Sequence, residues 1–288
     1  MTTRDGLSTL LHAPREEHEA LVRDFVTPLA LEFASDPRLR ALFFGRHNEP
    51  DWHLRVSVVG DPEWVRGPLP VLVERRLAAL EATRRLSGHE FAAYEREEAR
   101  FGGVEGARLA ERIFHHDTLA CLARIEVESR GEAARSRREY CLLMTERLLD
   151  LLRFDRDRRI AFYHHGYSFE IELGRWGPGE RDALERHYRS IKDGLLELLR
   201  SEPGRDPAFL WGGVAAAAAA ESCIEALRPL VGDLLGGLGA GTIRKGAADL
   251  AWSLAHMHAN RLQIEADAEA ILRYFMHRLH EEERIVTA

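Results

Sequence analysis

Cysteine is scarce in this chain: three in 288 residues, Cys121, Cys141 and Cys223, with no paired spacing. That excludes a disulfide framework, and each sits in a helical pattern as a buried free thiol would. Lysine is scarcer still, with only Lys192 and Lys245 among 40 basic residues. In so arginine-rich a chain a single arginine says little, and only arginines inside specific motifs carry weight. A basic excess is also missing. The net charge of −7 argues against direct nucleic-acid binding, which needs a basic face. No apolar run approaches the roughly 18 residues of a membrane-spanning helix. The nearest, from Phe209 to Ala220, is alanine-rich and closed by Glu221. The opening Met-Thr-Thr-Arg-Asp-Gly shows no basic region leading into an apolar run, so no signal peptide is expected and the cytoplasm is the expected location.

What is present is a core-forming composition, 45% hydrophobic and 30% charged, enough for one sizeable domain. Strands are expected at 6–13, 39–45 and 53–59, the last from the alternation of Leu54, Val56 and Val58 with polar neighbours, and another at 89–93. Pro14 opens a helix that Pro28 is expected to kink before it runs on to about Ala34. Pro68 opens another that reaches about Leu86. Helices are expected at 104–129, 132–153, 179–201, 206–235, 242–261 and 265–283. The Pro-Gly pair at 203–204 and the glycines at 236–241 act as separators. Short strands are expected at 159–162 and 168–173. With no internal repeat and no long linker, the reading is α+β: a single helix-dominated domain over 1–288 with a small, mostly antiparallel sheet.

Several attractive motifs fail on context. Gly237-Leu-Gly-Ala-Gly-Thr-Ile-Arg-Lys resembles a phosphate loop but follows a helix rather than a strand, and reads as a connector. The adjacent pairs His115-His116 and His164-His165 point their rings apart, so one ion would not take both. His277 and His280 read as part of a solvated face. There is no Gly-x-Ser-x-Gly elbow. No metal and no cofactor are expected.

The stretch from Leu250 to Leu262 is more informative. Leu250, Leu254, Met257 and Leu262 form a core stripe, while Trp252, His256 and either Ala259 or Asn260 stack along a second one. Upstream lie Phe43-Phe44-Gly-Arg46-His47, then His53-Leu54-Arg55, then Tyr94 and Glu97 ahead of Arg100-Phe101-Gly102-Gly103, and Phe114-His-His-Asp117-Thr118. Together with His256-Met257-His258-Ala259-Asn260-Arg261-Leu262, these resemble the C-terminal elimination domain of class I lanthipeptide dehydratases, a family also found as stand-alone proteins of thiopeptide biosynthesis. The family's patterns are Phe-x-x-Arg-Tyr, His-x-Arg-x-Arg, Arg-Tyr-Gly-Gly, Phe-x-x-Asp-Ser and His-Met-x-x-Asn-Arg. The resemblance runs in order from about residue 5 to residue 283. This chain departs from it at His47 and Phe101, where tyrosine is usual, and at Ser57, where a second arginine is usual.

The resemblance implies removal of the α-hydrogen and expulsion of glutamate from a glutamylated serine or threonine, leaving dehydroalanine or dehydrobutyrine. Such chemistry needs a base, donors for the developing enolate, and cations for the glutamate carboxylates. His256, Arg100 and Arg46 are the expected catalytic residues. Arg55, Asn260, Arg261, Trp252 and Tyr94 are the expected substrate-binding ones. Arginine suits carboxylates through its planar fork. His256 is expected to face Arg46, Arg55 and Arg100 across one concave site. The implied partner is a precursor peptide of leader and modified core, with a separate glutamyl-transferring subunit, and a homodimer is left open. Two alternatives stand beside elimination. One is the formal [4+2] cycloaddition by which a thiopeptide relative joins two dehydroalanines and expels the leader. The other is a non-catalytic scaffold that binds a leader peptide by strand addition.

Overall fold

The computed structural model describes residues 2–81, 85–200 and 206–283. Its chain begins with β1 (Thr2–His12), followed by a short 3-10 turn, Arg15–Glu17, behind Pro14. Helix α1 (His18–Leu21), a π turn at Val22–Val26 and α2 (Thr27–Phe33) then run continuously. The expected kink at Pro28 takes the form of that wider turn: proline has no N–H to give the preceding turn, and Thr27 Oγ1 bonds the Val22 carbonyl at 3.2 Å. Next come β2 (Leu39–His47), β3 (His53–Gly60), α3 (Pro62–Arg66), α4 (Pro68–Glu81) and β4 (Gly88–Glu95). The long α5 (Val104–Ser129) leads into α6 (Arg137–Leu151), α7 (Arg156–Glu172), α8 (Pro178–Leu199) and α9 (Pro207–Trp211). The chain closes with α10 (Val214–Ala240), α11 (Ala247–Arg261) and α12 (Ala266–Glu282).

All four strands are antiparallel, in the order β2-β3-β1-β4. Alternation sends Leu42, Phe44, Leu54, Val56 and Val58 to one face, where they form a core with the N-terminal helices, α3 and α4. Residues of the other parity, among them Ser8, Phe43, His47, Arg55, Ser57 and Tyr94, face α5 and α11. The helical half has its own core, which α5, α6, α10, α11 and α12 share. No helix among the described residues is long and apolar enough to cross a membrane. The fold is α+β and helix-dominated, and the three thiols are buried and free.

Three expectations are corrected. The strands expected at 159–162 and 168–173 lie inside α7, which Asp155 caps by accepting from Arg158 N. Gly166 is helical there and clears a close crossing, since a Cβ would clash with Arg273 Cδ. The glycines at 236–239 do not end their helix either. α10 continues to Ala240 and stops at Gly241, in the left-handed conformation (φ 74°), while Gly212 (φ 80°) divides α9 from α10. His277 and His280 are buried rather than solvated: His280 bonds Glu146 at 3.1 Å and His277 bonds Tyr167 at 3.0 Å. The Pro-Gly separator at 203–204 lies outside the described residues.

Candidate functional site

A cleft of about 350 Å³ opens between the sheet and the first turns of α5. Its floor is built by strand alternation. Phe43, Gly45 and His47 of β2 stand beside Ser57 and Arg55 of β3, Ser8 of β1, and Ala92 and Tyr94 of β4. The register aligns Gly45 with Arg55 and Phe43 with Ser57, and Ser57 shares a 3.0 Å hydrogen bond with Ser8. The roof comes from Phe101, Ala107, Glu111 and Phe114, with Met257 of α11 at one end and Glu97 and Arg100 on the turn between β4 and α5.

That turn explains its two glycines. Gly102 (φ 76°) and Gly103 (φ 120°) adopt conformations that L side chains rarely take, and a Cβ on Gly102 would lie 2.9 Å from Arg244 N. The Arg244 N–H instead donates to the Gly102 carbonyl at 2.8 Å, tying the turn to the loop ahead of α11. Arg100 is thereby held over the Phe101 ring at 5.4 Å, with Glu97 3.2 Å from its guanidinium. Gly6 of β1 leaves room for the Tyr94 ring, which a Cβ there would meet at 2.5 Å.

Arg55 and Arg100 lie near His47 in the cleft, whose lining also includes Glu95, Glu97 and Glu111. Desolvation pushes the His47 imidazole down to about 4, and Arg55, His53 and Arg100 all act in the same direction. His47 is therefore neutral at physiological pH, in the field of two guanidinium groups. Arg55 is exposed and forms no ion pair among the described residues. Buried Glu111 accepts from Tyr94 Oη at 2.9 Å and from Arg96 Nε at 2.6 Å. Burial and that carboxylate both raise the Tyr94 phenol. The cleft thus offers two cations, a neutral imidazole and a hydrogen-bonded carboxylate–phenol pair around one void.

Of the eight expected site residues, Arg55, Arg100 and Tyr94 line this cleft and five do not. Arg46 has the opposite parity to Gly45 and His47, and so projects from the other face of β2. It is buried, 3.6 Å from Glu19, and donates to the Arg261 carbonyl at 3.3 Å. Desolvation brings it down to about 10, with Glu19 opposing. Asn260 grips the main chain of that same residue, accepting from Arg46 N at 2.8 Å and donating to Arg46 O at 2.8 Å. Arg261 is fully buried, bonds Asp117 at 2.7 Å and lies over Phe114 at 4.5 Å.

The expected convergence of His256 with the arginines is not found. His256 faces α12, where its Nδ1 meets Glu269 at 2.8 Å, and its side chain stays 39% exposed. It stacks on Trp252 (6.3 Å between ring centroids, 8° between planes), and Trp252 covers the Arg273 guanidinium at 4.0 Å. Arg273 in turn bonds Glu269. These four form a cluster joining α11 to α12. His258, two residues on and pointing elsewhere, bonds buried Asp117 at 2.6 Å. Burial opposes ionisation of Asp117, but His258 and Arg261 outweigh it and hold the carboxyl below the usual range. Cys121 completes a group of possible metal donors there. However, Arg261 takes one Asp117 oxygen, His258 Nδ1 takes the other, and burial raises the thiol. This is the chemistry of a hydrogen-bonded core.

Sequence reading missed His47 as a cleft residue, treating it only as a departure, and it missed Glu111. Both had signals. His47 shares parity with Phe43 and Gly45, and Glu111 lies on an otherwise apolar stripe between Ala107 and Phe114.

The chain is a helix-rich α+β domain with an arginine-bearing cleft between its sheet and α5. The model of the family described as lantibiotic biosynthesis dehydratase C-term matches residues 7–280, and the chain belongs to that family. Among solved structures, the chain is similar to the tRNA-dependent lantibiotic dehydratase MibB from Microbispora sp. 107891, at 23% identity with a TM-score of 0.72. That match covers 96% of this chain but 28% of MibB. It is also similar to TsrL, at 17% identity and a TM-score of 0.64, covering 96% of this chain and 95% of TsrL. TbtD, the pyridine synthase of thiomuracin biosynthesis, gives 17% identity and a TM-score of 0.65, with 96% and 98% covered. A search of curated proteins finds no match.

Proposed function

We propose that this chain is a peptide-modifying enzyme that expels glutamate from a glutamylated serine or threonine of a precursor peptide. The observation that carries the reading is the convergence of Arg55 and Arg100 on one cleft, where Arg55 has no ion-pair partner among the described residues. An unpaired guanidinium beside a second one is a receptor for a carboxylate. In the elimination, the Cα proton passes to a base and its electron pair forms the Cα–Cβ double bond. The Cβ–O bond breaks and glutamate leaves as the carboxylate. Arg55 and Arg100 hold the glutamyl group and stabilise the charge that develops on the leaving oxygen.

His47 is the neutral imidazole within that cleft, and we assign it the proton. His256, Arg46, Asn260 and Arg261 are assigned to positioning. Asn260 fixes the end of β2 that carries His47, and Trp252 and His256 fix α11, whose Met257 closes the cleft. A glutamylated peptide tests this directly by mass spectrometry. His47→Gln is expected to abolish glutamate release and Arg55→Ala to slow it about 10- to 100-fold, with His256→Gln retaining it. The reverse pattern would return the base to His256.

A second reading, pyridine formation by formal [4+2] cycloaddition, is favoured by Ser57, which replaces a guanidinium with a hydroxyl bonded to Ser8, and by Phe101. A bis-dehydroalanine peptide converted by the chain, alongside an inert glutamylated one, would establish this reading instead.

A further inference from the structure

The strand order leaves two outer edges, and the structure treats them differently. The edge of β2 is closed by side chains: Leu42 N donates to His115 Nδ1 at 3.2 Å, and Asn260 holds both main-chain groups of Arg46. Against β4, β1 is the only strand bonded among the described residues. β4 offers eight residues of edge, Gly88–Glu95. An open edge is a template for another strand, and most proteins blunt or cover it.

The surfaces on either side of this edge are suited to an incoming strand. On the α4 side, Phe91 (40% exposed) and Val71 (62% exposed) meet Pro70 and Ala78 around a shallow depression of about 500 Å³. On the other side, Ala92 and Tyr94 are part of the wall of the arginine cleft. Side chains of a strand laid on β4 alternate between these same two faces.

We propose that β4 is the docking edge for the substrate peptide, which binds as a fifth strand. One residue of the peptide packs its apolar side chain against Phe91 and Val71. Its neighbour in the chain points to the opposite face, over the cleft, where Arg55 and Arg100 receive an anionic group attached to it. Glu90 and Glu95 are exposed along this edge and repel other acidic residues, so the occupant is an extended segment with neutral or basic flanks. The inference rests on the reading of the chain as a peptide-modifying enzyme and adds the way the peptide is presented.

The test uses the full chain and two synthetic peptides of about twelve residues, alternating valine and serine between terminal lysines. In one of them a central serine carries a glutamyl ester. Hydrogen exchange is expected to slow across 88–95 with both peptides. A single N-methyl group on a peptide amide that faces β4 is expected to weaken binding about tenfold, and one on the next residue to have little effect. Phe91→Lys is expected to weaken both peptides, while Arg55→Ala removes only the preference for the ester. Unchanged exchange in β4, protection confined to segments away from β4, or failure of either peptide to bind would overturn the proposal. Binding is read without turnover. A chain that protects β4 but releases no glutamate refutes the elimination and leaves the docking edge standing.

Discussion

Arg55 sets the charge of the cleft because nothing in the described chain neutralises it, whereas Arg100 is shared with Glu97. A charge-assisted hydrogen bond is worth about 1.5–3 kcal/mol, so Arg55→Ala is expected to lower kcat/KM for a glutamylated peptide about 10- to 100-fold. Steady-state kinetics with free glutamate as the readout checks this, and an unchanged value places the carboxylate elsewhere. The histidines give a pH signature. His18 is fully buried and held down to about 4, first by desolvation and then by Arg46. Its ordinary value is 6.5, so the unfolded chain takes up the proton first, and stability falls as pH drops from about 6.5 toward 4. The loss is on the order of 3 kcal/mol. Urea titrations across that window are expected to show a smaller loss in His18→Phe than in the wild type, the remainder coming from other buried histidines such as His47. His47, about 4 as well, places the acid limb of elimination near that pH rather than near the free-histidine value.

At the scale of elements, the site depends on a few junctions. Asn260 makes two hydrogen bonds to the β2 main chain, and Asn260→Ala leaves both Arg46 groups without that partner. A destabilisation of about 1–3 kcal/mol is expected, together with loss of activity as the His47 end of β2 loosens. Thermal melts compared with Asn260→Asp separate the donor from the acceptor. Gly102→Ala places a Cβ 2.9 Å from Arg244 N in a left-handed conformation. It is expected to misplace Arg100, raising KM more than it lowers stability.

These junctions also show what could be read from the sequence. Strand parity in β3 and the Gly-Gly turn were legible because they follow local rules, period two and positive φ. The same rule, applied to β2, separates Arg46 from His47, and motif likeness alone had grouped Arg46 with the cleft. Gly166 and the α10 glycines could not be read locally. Their helical state is decided by packing, on Arg273 in one case and on Ile243 in the other, where a Cβ on Gly237 would meet a side-chain carbon at 2.6 Å. His256 had the right periodicity for a pocket wall. Its pairing with Glu269 depends on how α12 docks, which no local pattern records.

For the whole molecule, the family, the fold class and the outline of one cleft were readable, because ordered motifs along the chain carry them. The choice between elimination and cycloaddition was not, since both chemistries share the fold. Length does not separate them either: the chain spans 28% of MibB and nearly all of TsrL and TbtD. The most direct measurement is a single-turnover reaction of the full chain with a peptide bearing one glutamylated serine, followed by mass spectrometry and free-glutamate assay. The account predicts dehydroalanine and an equal amount of glutamate, both lost in the Arg55→Ala, Arg100→Ala double variant. Peptide returned unchanged by the wild type, or equal release by the double variant, would contradict it.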